Sequence, residues 1–223
     1  MSVVLKELHE LINLDDPGWP MVEQWVAEAK NPVEVLLPPE LAKREQALVA
    51  SQVTTRSPMG AIVYESGGIL VDHGWLRILG SGHPRLPRTL PGWNYGRSFP
   101  VSGQRPEFVL VADDVVGGFF AIDGGGLGIE HKKVCYFAPD TLKWENTEKG
   151  YSDFILWAFN GDLNQYYGTM RWPGWQEELR DLSGDQVFSI YPFLSCAGPP
   201  IAERSRKAVA IAEVYDLHIG RRN

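Results

Sequence analysis

A chain of 223 residues has room for one or two domains, and at that size folding buries roughly 70–75% of the unfolded surface, so its core needs no disulfide or metal staple. Hydrophobic residues at 44% and charged residues at 22% are ordinary for a soluble globular protein. The formal net charge of −7 argues against general nucleic-acid or anionic-membrane binding, both of which need a positive field. Cys135 and Cys196 stand in no CxxC or zinc spacing, which fits a reducing compartment without a disulfide framework. The N-terminal stretch is charged throughout and no apolar run approaches the ~18 residues of a membrane span. A cytoplasmic protein is expected.

In chain order, Val3 to Asn13 reads as an amphipathic helix with Val4, Leu5, Leu8, Leu11 and Ile12 on one face. Asp16–Pro17 then offers a cap and a first-turn proline for a helix over Pro17–Lys30, with Trp19, Val22, Trp25, Val26 and Ala29 as its stripe and Asn31–Pro32 as its stop. Pro38–Pro39 opens a third helix running to Ser51, with Leu41, Leu48 and Val49 inward. From Gly60 the period changes to two, and AIVYE (61–65), GILVD (68–72) and WLRIL (75–79) read as a meander joined by hairpin-sized gaps. Residues 80–106, rich in Gly and Pro, read as a long ordered loop.

The densest apolar pattern lies between Glu107 and Ala158. FVLVADDV and GGFFAID read as strands, GGGLG as a hairpin turn, KVCYFAP and LKWENT as further strands, and YSDFILWAF as a covering helix. Beyond it come short helical segments over Gly161–Leu182, a last strand over Asp185–Leu194, and a closing section where KAVAI reads as extended and Ile211, Val214, Tyr215 and Leu217 suit a helix. No linker stands out. The expectation is one α+β domain, a twisted and mostly antiparallel sheet flanked by helices, divided into a helical front section (1–51), a sheet core (60–159) and a C-terminal part (160–223).

Charge is segregated. Between His73 and Pro106 there is no Asp or Glu, yet Arg77, Arg85, Arg88, Arg97 and Arg105 all occur, so this stretch carries +5 and the remainder −12. Arginine forks grip carboxylates and phosphates, and nearby rings such as Trp93 and Tyr95 add stacking. The set Arg85, Arg88, Trp93, Tyr95, Arg97 and Arg105 is therefore a candidate contact for an acidic partner; the plainer reading is that these arginines pair with the acidic remainder and pin the loop. A second polar group comprises Asp72, His73 and His83, bracketing WLRIL, with Asp123 and Asp113–Asp114 at strand ends. A histidine near a carboxylate suits general-base or metal chemistry, but adjacent strand residues point to opposite faces and the Asp residues also suit turns. GGGLG does not fit GxGxxG, no GxSxG elbow occurs, and no metal or cofactor is expected.

The phrases QVTTRSPMGAIVYESGGILVDHGWLRILGSGH (52–83) and VADDVVGGFFAIDGGG (111–126) resemble the bacterial domain-of-unknown-function family DUF2625 over nearly the whole chain. More remotely, the GGI…GWLRILG strand pair and the GGFFAID strand resemble the SUKH superfamily. That likeness implies a SUKH-like fold, with helices before a small mixed sheet, and a role in protein recognition, including immunity against toxins; the long loop and extended C-terminal part depart from its compact pattern. Two functions stand as expectations. One is an intracellular module that binds another protein. The other is a hydrolase or phosphate-handling enzyme built on Asp72, His73 and His83 with the arginine loop.

Overall fold

A computed structural model describes residues 5–99 and 105–220. Residues 3 and 4 of the first expected helix and residues 100–104 of the expected loop lie outside them. The first helix is shorter than its periodicity predicts: α1 spans only Leu8–Leu11. Thr55 takes over the bonding beyond it, its N–H donating to the Leu11 carbonyl at 2.8 Å and its Oγ1 accepting from Asn13 N–H at 2.7 Å. Helix α2 (Trp19–Ala27) begins at Gly18 rather than at Asp16–Pro17, because the Asp16 carboxylate pairs with Arg56 at 3.1 Å instead of capping.

The front section is not purely helical, since β1 (Val33–Leu36) follows α2. Helix α3 (Leu41–Ser51) turns Ala47 and Leu48 inward, while Leu41 and Val49, expected inside, are exposed. The predicted strand AIVYE is instead part of helix α4 (Pro58–Glu65). Ser57 caps it by accepting from Gly60 N–H at 3.1 Å, and Pro58 fills the first turn. The Ala–Ile–Val run that suggested a strand is buried on all sides, and the Ser–Pro start overrides its β-propensity. Gly60 admits no side chain, for a Cβ there would sit 2.0 Å from the Thr54 carbonyl.

Strands β2 (Gly68–Val71) and β3 (Leu76–Leu79) form the expected hairpin, turned by Asp72 and His73 at φ 52° and 60°. Asp is among the residues that tolerate this left-handed region. Within the expected loop lies a short helix, α5 (Leu90–Asn94), capped by Thr89 Oγ1 on Gly92 N–H at 2.9 Å. The Asn94 amide then bonds both the Leu110 carbonyl and the Leu110 N–H, at 2.8 and 2.7 Å, and so fastens the segment to the sheet.

The core follows as read: β4 (Phe108–Asp114), β5 (Phe119–Asp123), β6 (Val134–Ala138), β7 (Lys143–Asn146) and α6 (Tyr151–Asn160). Short helices α7 (Leu163–Tyr166) and α8 (Trp175–Leu179) lead to β8 (Gln186–Tyr191), β9 (Ser205–Ala210) and the closing α9 (Ile211–His218). Strands β1 to β7 make one antiparallel seven-stranded sheet in chain order, and β8–β9 a separate two-stranded ribbon. The fold is α+β.

Register places Glu34, Leu70, Arg77, Asp113, Phe119, Phe137 and Trp144 in one row across the sheet, hence on one face. Trp93 and Tyr215 pack on Phe119 from α5 and α9. On the opposite face Phe120 stacks with Tyr136 and meets Phe154 of α6, with centroids 4.6 and 4.9 Å apart. The buried Asp114 carboxyl lies there, accepting from Val116 N–H, Gly118 N–H and the Tyr136 hydroxyl. Burial still pushes its pKa up. Gly118 is required beside it, since a Cβ would meet Asp114 Oδ2 at 2.3 Å.

Candidate functional site

The charged end of the row, Glu34–Leu70–Arg77–Asp113, sets up the candidate site. Asp113 is fully buried between two arginines. Arg77 donates from Nε to Asp113 Oδ1 at 2.7 Å and from Nη1 to the Gln186 carbonyl at 2.6 Å. Arg88 donates from Nη1 to Asp113 Oδ2 at 2.5 Å and from Nη2 to the Gly184 carbonyl at 2.8 Å. Burial lowers the pKa of Arg77 and Asp113 opposes that shift; arginine keeps its charge at physiological pH regardless. The triad clamps the 80–99 segment and the start of β8 onto the sheet.

Next to the clamp the same face opens into a cleft of about 980 Å³. It is lined by Glu34, Leu70 and Arg77 of the sheet, by the 176–184 segment, by Pro84 and Arg85, and by His73–Gly74. Arg85 pairs with Glu34, both about half exposed. Arg180, Asp181 and Glu177 also line it and are exposed, and Arg180 makes no ion pair among the described residues. Charges of both signs therefore stand free or loosely paired around an apolar strip of Leu70, Leu179, Leu182 and Val33.

A family model described as "Protein of unknown function DUF2625" matches residues 8–214. The chain belongs to this family. An uncharacterized protein of Escherichia coli, YbfG, is 45% identical over 218 residues, covering 96% of this chain and 95% of its own length. An uncharacterized protein of Haemophilus influenzae is 40% identical over 220 residues, covering 98% and 96%. No solved structure matches.

In this DUF2625 chain the arginine-loop residues divide into two groups. Arg88 and Trp93 face inward, which corrects their expected exposure to a partner: Arg88 is spent on Asp113, and buried Trp93 carries the guanidiniums of Arg88 and Arg97 at 4.8 and 3.9 Å. Arg97 is half-buried there and donates to the Trp93 carbonyl at 3.0 Å. Arg85, Arg105 and Tyr95 are exposed, Tyr95 by 75%. Only Arg85 of these reaches the cleft.

The second polar group does not converge. Asp72 pairs with Arg171, whose guanidinium lies over the rings of Trp75 and Trp175 at 4.7 and 4.4 Å. His73 sets its ring edge against Trp175, and His83 Nδ1 accepts from Arg85 N–H at 3.1 Å within its own turn. Asp123 organises the glycine turn: Oδ1 accepts from Gly125 and Leu127 N–H, and Oδ2 from Ile129 N–H, at 2.6, 3.2 and 3.1 Å. Glu34, Arg171, Glu177, Arg180 and Asp181 escaped the sequence reading, and no local motif marks them.

The Asp123 cradle carries a pH prediction. Burial alone would raise its pKa, but the backbone N–H groups of Gly125, Leu127, Ile129 and Glu130 outweigh burial and hold the carboxyl below its usual value. The stabilisation is therefore complete above the unfolded pKa of about 3.9 and is lost as pH falls through the lowered folded value. Asp123→Asn is expected to cost roughly 1.5–3 kcal/mol at neutral pH, and the gap to wild type should narrow below pH ~4. Urea denaturation across pH checks this; a gap constant with pH would contradict it.

Proposed function

We propose that this DUF2625 chain is a cytoplasmic protein-recognition module whose cleft receives a charged, exposed segment of another protein. The observation that carries the reading is the charged lining of the cleft. Arg180, Asp181 and Glu177 line it exposed, and the exposed Arg85–Glu34 pair is worth at most about 1 kcal/mol, so it exchanges cheaply for a partner's charges. An apolar strip between charged rims is ordinary interface anatomy. The free thiols of Cys135 and Cys196 fit a reducing compartment, and no helix of the described residues is long and apolar enough to cross a membrane. The resemblance to SUKH proteins supports the same reading, and an immunity-like grip on a toxin is one concrete form of it.

The hydrolase or phosphate-handling reading predicts a histidine within hydrogen-bond reach of Asp72, Asp113 or Asp123. Those carboxylates are instead bonded to Arg171, to Arg77 and Arg88, and to backbone N–H groups. Affinity capture tests the recognition reading with three baits: wild type, Arg85→Glu/Arg180→Glu, and Lys143→Glu as a control on the far sheet edge. A protein held by wild type and control but bound at least ~10-fold more weakly by the double variant, or about 1.4 kcal/mol, supports it. Equal retention by all three baits, or capture of small molecules alone, overturns it.

A further inference from the structure

The two-stranded ribbon ends in an edge that the rest of the fold does not cover. In an antiparallel pair, residues alternate between bonding their partner strand and pointing their N–H and C=O away from it. Ile211 N–H donates to the Asp185 carbonyl at 2.9 Å, which with the register Val187↔Val209 and Ser189↔Lys207 directs Lys207 and Val209 towards β8. Arg206 and Ala208 therefore turn their backbone groups outward, as Ala210 does its N–H, and no backbone partner for them is found among the described residues; the Ala210 carbonyl belongs to the N-cap of α9. Ala208 and Ala210 are exposed.

The outer side of β8 is docked through Phe188 N–H on the Val115 carbonyl, and the two edges of the seven-stranded sheet are blunted in ways natural sheets use. β1 and β7 are four residues each; Pro32 precedes β1 and Pro38–Pro39 follow it, and β7 alternates Lys143 with Glu145. β9 is six residues long, regular, and free of proline and bulge, with its charges, Arg206 and Lys207, confined to its first half. Its sequence SRKAVA is also compatible with itself about a two-fold axis at Ala208. Antiparallel pairing there sets Ala208 opposite Ala208, Arg206 opposite Ala210 and Lys207 opposite Val209, so no like charges meet. A parallel in-register pairing would instead stack Arg on Arg and Lys on Lys, which costs stability. The same axis sets Ser205 opposite the second copy's Ile211. Tyr191, Ser205's neighbour on β8, and Phe193 just beyond it are 68% and 41% exposed, and this arrangement brings them towards that copy's α9.

We infer that two copies of this chain pair through β9, antiparallel about Ala208, into a continuous four-stranded β8–β9–β9–β8 sheet. The occupant of the edge is a second copy, because the register and the charges match this strand to its own inverse. Strand addition supplies backbone hydrogen bonds, and the flanking rings supply the apolar contact.

Sedimentation equilibrium of the full chain tests this directly. Wild type is expected at twice the 25.0 kDa chain mass. Ala208→Pro removes only an outward N–H and leaves the ladder to β8 intact, so it should sediment as a monomer with its thermal unfolding retained. Ala208→Glu places like charges face to face on the axis and should weaken pairing at least ~10-fold, with partial recovery in high salt. Hydrogen exchange gives a readout independent of variant folding: the Arg206, Ala208 and Ala210 amides of wild type should slow as concentration rises. A wild type that stays monomeric with fast exchange at these amides, or an Ala208→Pro variant that remains dimeric, overturns the inference. The cleft residues take no part in this edge, so the outcome is separate from that of the capture experiment.

Discussion

Asp113→Ala is expected to remove about 3–5 kcal/mol of stability, the cost of leaving buried charge without its partner. Asp113 is fully buried and serves two guanidiniums, those of Arg77 and Arg88, whose side chains are themselves nearly inaccessible. Without the carboxylate, two like charges would share a dry site, with only the carbonyls of Gly184, Gln186 and Asp114 to accept their protons. Domains are stable by only about 5–15 kcal/mol, so this single change removes a large fraction of the margin. Chemical denaturation measures it, and a companion variant separates burial from folding failure. Arg77→Met/Arg88→Met/Asp113→Leu removes all the charge together and should recover most of the loss. A cost under ~1 kcal/mol for Asp113→Ala would mean that water reaches the triad.

Arg171→Ala is expected to cost a comparable 3–5 kcal/mol by stranding Asp72. Arg171 is the bolt between the β2–β3 hairpin and the segment before α8. It pairs with Asp72, donates to Asn164 Oδ1 at 2.5 Å, and lies over Trp75, Trp175 and Tyr167. Arg171→Lys keeps the charge but loses the planar fork and the stack, so it should restore less than half of the loss. The near-ultraviolet circular dichroism of the Trp75–Trp172–Trp175 cluster should weaken in step with stability. Full rescue by lysine would reduce the role of Arg171 to its charge.

The sheet core was legible because its signals are local. FVLVADDV, GGFFAID and KVCYFAP alternate or run apolar over strand lengths, and YSDFILWAF changes period where α6 begins. AIVYE misled because two cues competed in a few residues. Its β-branched pair spoke for a strand, while Ser57–Pro58 carried a helix start that governs the outcome. Asp16 failed as a cap for a non-local reason, Arg56 lying 40 residues away.

The arginine excess between His73 and Pro106 was legible as a charge anomaly, but its resolution was not. Arg77 and Arg88 meet Asp113 across 36 and 25 residues, and Arg77 meets Gln186 across 109. The cleft likewise takes its lining from chain segments near 32–34, 70–77, 84–85, 115 and 176–184. No window along the sequence contains more than a fragment of it, and Glu34 or Arg180 viewed alone is an ordinary surface charge.

The chain-order sheet has a consequence for how the protein emerges from a ribosome. Each of β2 to β7 pairs with the strand made just before it, so the sheet can zip up vectorially as the chain is synthesised. The Arg77–Asp113–Arg88 cluster cannot finish at that stage, because Gly184 and Gln186, whose carbonyls it uses, are made well after β4. The nascent sheet therefore waits with a wet, charged face. It is sealed only when β8 and the segment before it dock on the arginines, which makes that docking a late step of core assembly.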